Sequence, residues 1–129
     1  MTGRFSVLFG AIAVAVLGAL LVASGETMNQ PLVRIAELEI DAVQLPAYEA
    51  ALKEEIATSI RIEPGVLTLY AVSVKDQPNQ IRIFETYKDQ AAYESHLQTA
   101  HFKKYKAETQ GMVKSLKLIE TEPILLGKK

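Results

Sequence analysis

Cysteine and tryptophan are absent from the chain. Without cysteine there is no disulfide framework, no thiolate nucleophile, no Cys-based zinc site and no iron–sulfur cluster. A lipid-modified bacterial lipoprotein, which needs a cysteine at its cleavage site, is excluded too. Neither sign of charge dominates: 14 Lys and Arg against 15 Asp and Glu give a net −1. A nucleic-acid binder would carry a basic excess. Glycine is sparse, and no glycine-rich phosphate loop exists. Gly10, Gly18 and Gly25 fall in the N-terminal segment, while Gly65 and Gly111 stand alone. No G-x-S-x-G nucleophile motif occurs either. Nucleotide cofactors and serine-hydrolase chemistry are therefore unsupported. With 129 residues, the chain has room for one domain.

Charge is also missing locally. Arg4 is the only charged residue before Glu26, and Phe5 to Ala23 is almost wholly apolar. A basic start, an apolar stretch and the small residues Ala23-Ser24-Gly25 form the pattern of a secretory signal peptide. The run also approaches the ~20 residues that span a bilayer, so a retained membrane anchor fits as well. Alternatively, Met28 could begin a complete soluble domain. Residues 1–25 are read as signal or anchor and 26–31 as linker. Residues 32–125 are the folded domain and 126–129 a tail. Either export reading expects a periplasmic or extracellular protein that meets a membrane only through residues 5–23.

Beyond the linker, hydrophobic periodicity gives the elements. Leu32–Ile40 alternates as a strand, with Leu32, Ala36, Leu38 and Ile40 on one face. Pro46 suits the first turn of a helix. Tyr48, Leu52, Ile56 and Ile60 recur every four residues as its apolar stripe. Glu63-Pro64-Gly65 stops that helix. Val66–Val74 is apolar on both faces, which predicts a central or doubly covered strand. Lys75–Asn79 is a turn cluster, and Gln80–Tyr87 completes a hairpin. Asp89 and Thr99 are N-cap residues for two helical pieces, the first through Leu97 and the second closed by Gly111. A last strand lies within Met112–Ile124.

This β-α-β-β-α-β order predicts a ferredoxin-like α+β fold with a four-stranded antiparallel sheet. Two helices can cover only one face of that sheet. The other face carries apolar side chains whichever way Val66–Val74 is turned. An uncovered apolar face of this size marks an interface, so a homodimer with sheets packed face to face is expected.

Glu63-Pro64-Gly65-Val66, then Phe84-Glu85-Thr86-Tyr87, then His96-Leu97-Gln98-Thr99-Ala100-His101-Phe102 resemble the antibiotic biosynthesis monooxygenase domain. The nearest likeness is to its small quinol-monooxygenase branch, over about Leu32 to Ile124. The resemblance implies a dimeric α+β barrel with a pocket between each sheet and its helices. It also implies oxygenation of quinol-like or polyketide phenols without metal or flavin in some members, and heme degradation in others. The heme-degrading branch has a tryptophan where this chain has His96, and a heme-ligating histidine where it has Lys106. The polyketide-oxidising members also use a tryptophan. Both specialisations are disfavoured here.

His96 and His101 are the only histidines. Imidazole, with an unperturbed pKa of about 6.5, can take the proton of a phenolic hydroxyl. The resulting anion is rich enough in electrons to react with dioxygen directly. Either histidine is a candidate base, against a plain reading of local packing and capping. Their spacing of five residues turns two rings on one continuous helix apart. A break near Thr99 could reunite them, but no acidic triad joins them in the sequence. No metal site and no cofactor are expected.

Glu85 lies on an apolar strand face and needs a partner. It is a candidate to orient a histidine or take a proton, or else pairs with Arg34, Arg61 or Arg82. Tyr70, Tyr87 and Phe102 are candidate substrate-contacting aromatics. The expected ligand is a small aromatic or quinol-like molecule. A non-catalytic small-molecule-binding or stress-associated module of the same fold is the alternative.

Overall fold

The computed structural model describes residues 30–129. Phe5–Ala23, expected to act in export, lies outside the described residues. Among the described residues no helix is long and apolar enough to cross a membrane.

Strand β1 (Leu32–Ile40) leads through a short 3-10 turn to α1 (Leu45–Ile62). β2 (Val66–Val74) and β3 (Gln77–Tyr87) form a hairpin. α2 (Gln90–Gln98), α3 (Ala100–Thr109) and β4 (Val113–Glu120) follow. All sheet pairings are antiparallel, in the order β2-β3-β1-β4. This is the ferredoxin-like arrangement, with the helices on one face.

The core lies between sheet and helices. Ala36, Leu38 and Ile40 of β1 meet Ile81 and Ile83 of β3, Tyr48 and Leu52 of α1, and Tyr105 of α3. Val66, Leu69 and Tyr87 form a second cluster. Residues opposite in register share a face, so Leu116 and Leu118, opposite Leu38 and Ala36, also point to the helix side. Among the described residues no helix packs closely on β4, and both leucines remain partly exposed.

Local chemistry explains the boundaries. Asp89 accepts a hydrogen bond from Ala92 N at 2.8 Å at the start of α2. Thr99 Oγ1 accepts from Phe102 N at 3.3 Å at the start of α3. The Thr99 backbone is extended, with φ −67° and ψ 150°, so the chain changes direction between α2 and α3. Asp76, at φ 64°, occupies the left-handed region that Asp tolerates better than most residues.

Three expectations need correction. β2 is an edge strand, paired only with β3. Its double-sided apolar pattern arises because a bulge between Val66 and Thr68 turns both Val66 and Leu69 inward, while Tyr70 and Val72 face out. The hairpin turn is shorter than Lys75–Asn79, because β3 begins at Gln77 and Pro78 falls beside a second irregularity in the ladder. Proline is tolerated at such a site because no ladder donor is needed there. In α1 the buried residues are Tyr48, Leu52, Glu55 and Ser59, while Ile60 is about half exposed. A four-residue step overshoots one helical turn by about 40°, so a strict four-residue stripe drifts off the core within three steps.

Candidate functional site

Five polar side chains converge where the C-terminal half of α1 meets the α2–α3 corner. Glu55 and Ser59 come from α1 and Glu63 from its C-cap. His96 comes from the last turn of α2, and His101 from the first turn of α3. Glu63 Oε2 joins the histidines, lying 2.9 Å from His96 Nδ1 and 2.6 Å from His101 Nε2. A carboxylate can only accept, so both imidazoles donate to it. That bond fixes the tautomer and orientation of His96 and makes Nε2 the acceptor nitrogen of the neutral ring. His96 Nε2 lies 3.5 Å from Glu55 Oε1, which accepts a 2.7 Å hydrogen bond from Ser59 Oγ.

The carboxyls are tuned in opposite directions. Burial pushes Glu55 above the ordinary range, although the Ser59 hydrogen bond and the two histidines pull against it. Burial also pushes Glu63 up, but hydrogen bonds from His96 and His101 outweigh this and hold it below its ordinary value. Glu63 is thus the standing negative charge of the cluster. Pairs of carboxyls pushed apart in this way are common at sites that handle protons, though ion-pair networks also produce them.

His96 and Glu55 face a pocket of about 390 Å³ between sheet and helices. Its wall includes Tyr87, Tyr93, Phe102 and Tyr105 beside Leu38, Leu52, Ile83 and Leu97, with Glu85 on the sheet side. The His96 ring packs 4.8 Å from Phe102 and 5.4 Å from Tyr87, centroid to centroid. Tyr87 hydroxyl donates to Glu85 Oε2 at 3.2 Å. Burial pushes Glu85 up, and the Tyr87 hydrogen bond only partly offsets this. Arg34 lies opposite Glu85 in the β1–β3 register. Its guanidinium stacks over Tyr93 at 4.3 Å and pairs with Glu120 at 3.6 Å.

The structure therefore brings His96, Glu85, Tyr87 and Phe102 to one pocket. His101 stands behind His96, bonded to Glu63. Tyr70 does not join them. It is 64% exposed and opposite Phe84 in the β2–β3 register, so it belongs to the outer sheet face. It borders a larger cleft of about 840 Å³ along β2 and α1. That cleft holds neither histidine and has Glu49 and Lys53, themselves an i,i+4 ion pair, among its charged lining. Of these two, the smaller pocket is the one lined by His96 and the buried carboxyls Glu55 and Glu85.

The five-residue spacing does not hold the histidines apart. The break at Thr99 brings their ring centroids to 6.3 Å. One ligating atom from each of Glu55, His96 and His101 lies within 4.8 Å of the others. Sequence reasoning missed both carboxylates. Glu63 reads as part of a helix stop, and only its fold partners reveal it. Glu55 left a usable trace, because Tyr48, Leu52, Glu55 and Ser59 follow a 4-3-4 spacing that keeps one helix face.

A ferredoxin-like α+β domain with a histidine–carboxylate cluster on an aromatic pocket is thus defined. The family model for antibiotic biosynthesis monooxygenase matches residues 31–108, and the chain belongs to that family. A solved structure from Bacteroides thetaiotaomicron that bears the family's name is 51% identical, with a TM-score of 0.75. The alignment covers 78% of this chain and 95% of that one. A structure from Lactobacillus acidophilus, named for monooxygenase activity, is 32% identical with a TM-score of 0.68. Here the alignment covers 70% of this chain but only 43% of that one. PA3566 from Pseudomonas aeruginosa, at 24% identity and a TM-score of 0.70 over 76% of this chain and 98% of its own, shares the fold. No curated protein matches the chain.

Proposed function

We propose that the protein is a cofactor-independent monooxygenase that oxidises a small quinol-like aromatic with dioxygen. One observation carries this reading. His96 lines the aromatic pocket with Nδ1 tied to Glu63 at 2.9 Å, the arrangement of a base oriented by a carboxylate. The pocket volume, about 390 Å³, lies in the range that takes small ligands.

His96 Nε2 accepts the proton of a phenolic hydroxyl, and Glu63 stabilises the imidazolium that forms. Tyr87, Tyr93 and Phe102 hold the ring and exclude water. The electron-rich anion passes one electron to dioxygen, and the two radicals combine at a ring carbon. The His96 imidazolium returns its proton to the peroxide, and the resulting hydroperoxide loses water to give a hydroxyquinone. One oxygen atom ends in product and the other in water. The substrate supplies all the electrons, and dioxygen is the only co-reactant.

The uncovered sheet face supports a homodimer, because Tyr70, Val72 and Phe84 are substantially exposed there. The apolar run Phe5–Ala23 supports export out of the cytoplasm, which cell fractionation tests. The oxidation reading is tested by incubating a panel of quinols with the protein under air and under argon, using labelled dioxygen. Oxygen-dependent product carrying one labelled atom is expected. Turnover equal to spontaneous oxidation removes the enzyme reading, and a ligand that raises the melting temperature without conversion favours a binding module.

A further inference from the structure

We propose that Glu55, His96 and His101 form a binding site for one divalent transition-metal ion of the zinc or cobalt class. The site borders the pocket, with its ligand set already largely assembled. Ligating atoms of the three residues lie within 4.8 Å of one another. His96 Nε2 and Glu55 Oε1 are 3.5 Å apart, close to the spacing of two ligands that share an ion at about 2.1 Å in a tetrahedral shell. Closing the third side needs His101 to turn toward the ion, ligating through Nδ1 or giving up the 2.6 Å hydrogen bond from its Nε2 to Glu63.

The surroundings are those of a metal-ligand shell. Glu63 accepts from His96 Nδ1 at 2.9 Å and so aims Nε2 at Glu55. A carboxylate behind a ligating histidine is the usual device for orienting the ring and raising its basicity. Ser59 Oγ, donating at 2.7 Å, holds the Glu55 carboxylate in place. Glu55 and His96 are 6% and 3% exposed, so bulk water competes little for the ion. Both also line the pocket, which leaves a coordination position open on that side. Two imidazoles and one carboxylate favour zinc, cobalt or nickel over magnesium or calcium, which take oxygen ligands.

This inference shares His96 with the proposed base but does not rest on the oxidation reading. An ion on Nε2 occupies the lone pair that would accept the substrate proton, so the two uses of His96 exclude each other.

The test is a titration of the full chain with cobalt(II), followed by visible absorption and calorimetry. The chain has no cysteine and only these two histidines, so imidazole-ligated metal reports on this cluster alone. The expected result is one ion per chain with intense visible bands of a low-coordinate nitrogen–oxygen site. Glu55→Gln and His101→Asn should each weaken binding at least about ten-fold, while Glu54→Gln leaves it unchanged. Circular dichroism checks that each variant folds, and if one does not, the wild-type spectrum decides. Absence of saturable binding and of those bands overturns the proposal, as does binding that survives in folded Glu55→Gln and His101→Asn. Because the readout is the metal itself, failure here leaves quinol oxidation standing. Metal binding without oxygen-dependent turnover upholds this site and removes only the oxidation reading.

Discussion

Tyr48→Phe removes one oxygen atom from the centre of the domain, and its cost can be worked from the contacts. Tyr48 is fully buried and Tyr105 is 9% exposed. Their hydroxyls are 2.8 Å apart, and their rings pack 6.1 Å apart at a 59° tilt. Burial pushes both phenols above their ordinary range, as expected for groups withdrawn from water. Tyr48→Phe keeps the ring and takes from the Tyr105 hydroxyl its 2.8 Å partner, leaving it only the Thr109 side chain. The cost of a buried polar group left without its partner is about 1–3 kcal/mol. In a domain of this size each 1 kcal/mol moves the melting temperature by roughly 4–8 °C. Tyr105→Phe should cost a similar amount. The double variant replaces both partners by apolar groups and should cost less than the sum, with a coupling of about 1–2 kcal/mol. Urea unfolding of the four proteins measures the cycle. Additive costs, or a Tyr48→Phe loss below about 0.5 kcal/mol, would refute the reasoning. The pair also ties α1 to α3, the helix that carries His101 and Phe102, so quinol turnover should fall in the single variants more than in the double.

Gly65→Ala places a Cβ 2.5 Å from Ala92 Cβ, and relieving that overlap between the α1–β2 turn and α2 should cost about 1–3 kcal/mol; thermal melting measures it. Glu85→Gln should stabilise the domain at neutral pH. Burial raises the Glu85 carboxyl above its ordinary 4.5, so the unfolded chain releases this proton first. The wild type then loses stability as pH rises from that ordinary value through the folded one, and the amide does not. Unfolding curves at acid and neutral pH should show the variant's advantage vanishing at acid pH. Sedimentation at micromolar concentration should give a dimer, and Phe84→Lys with Tyr70→Lys should give a folded monomer; a wild-type monomer contradicts sheet-to-sheet pairing.

Local signals carried most of the fold. The span of β1 follows from alternation, and that of β2 from an apolar run bounded by turn residues. The caps at Asp89 and Thr99 follow from side chains that compete for their own helix N–H groups. These effects act within four residues and leave a trace in any window of sequence. The edge position of β2 left no such trace, because a bulge and an uncovered face together mimic a doubly buried strand. The hairpin turn likewise proved shorter than its turn residues suggest, with Asp76 in the left-handed region. At the site, Glu85 was legible as a polar residue on an apolar strand face, and His96 as one of only two histidines. Glu63 was not. Its partners lie 33 and 38 residues away, and only packing of α1 against the α2–α3 corner brings them together. Tyr70 shows the converse, since an aromatic in a strand has two faces to choose from and the bulge put it on the outer one.

The central claim is that His96, held by Glu63, takes the proton that starts oxidation in the pocket. Oxygen uptake with a reduced quinol tests it most directly, comparing wild type with His96→Gln after both are shown to be folded. The account predicts wild-type uptake above spontaneous oxidation that falls about 10²–10⁴-fold in the variant, the usual contribution of a general base. Uptake that is the same in both proteins, or that never exceeds the spontaneous rate, would contradict it.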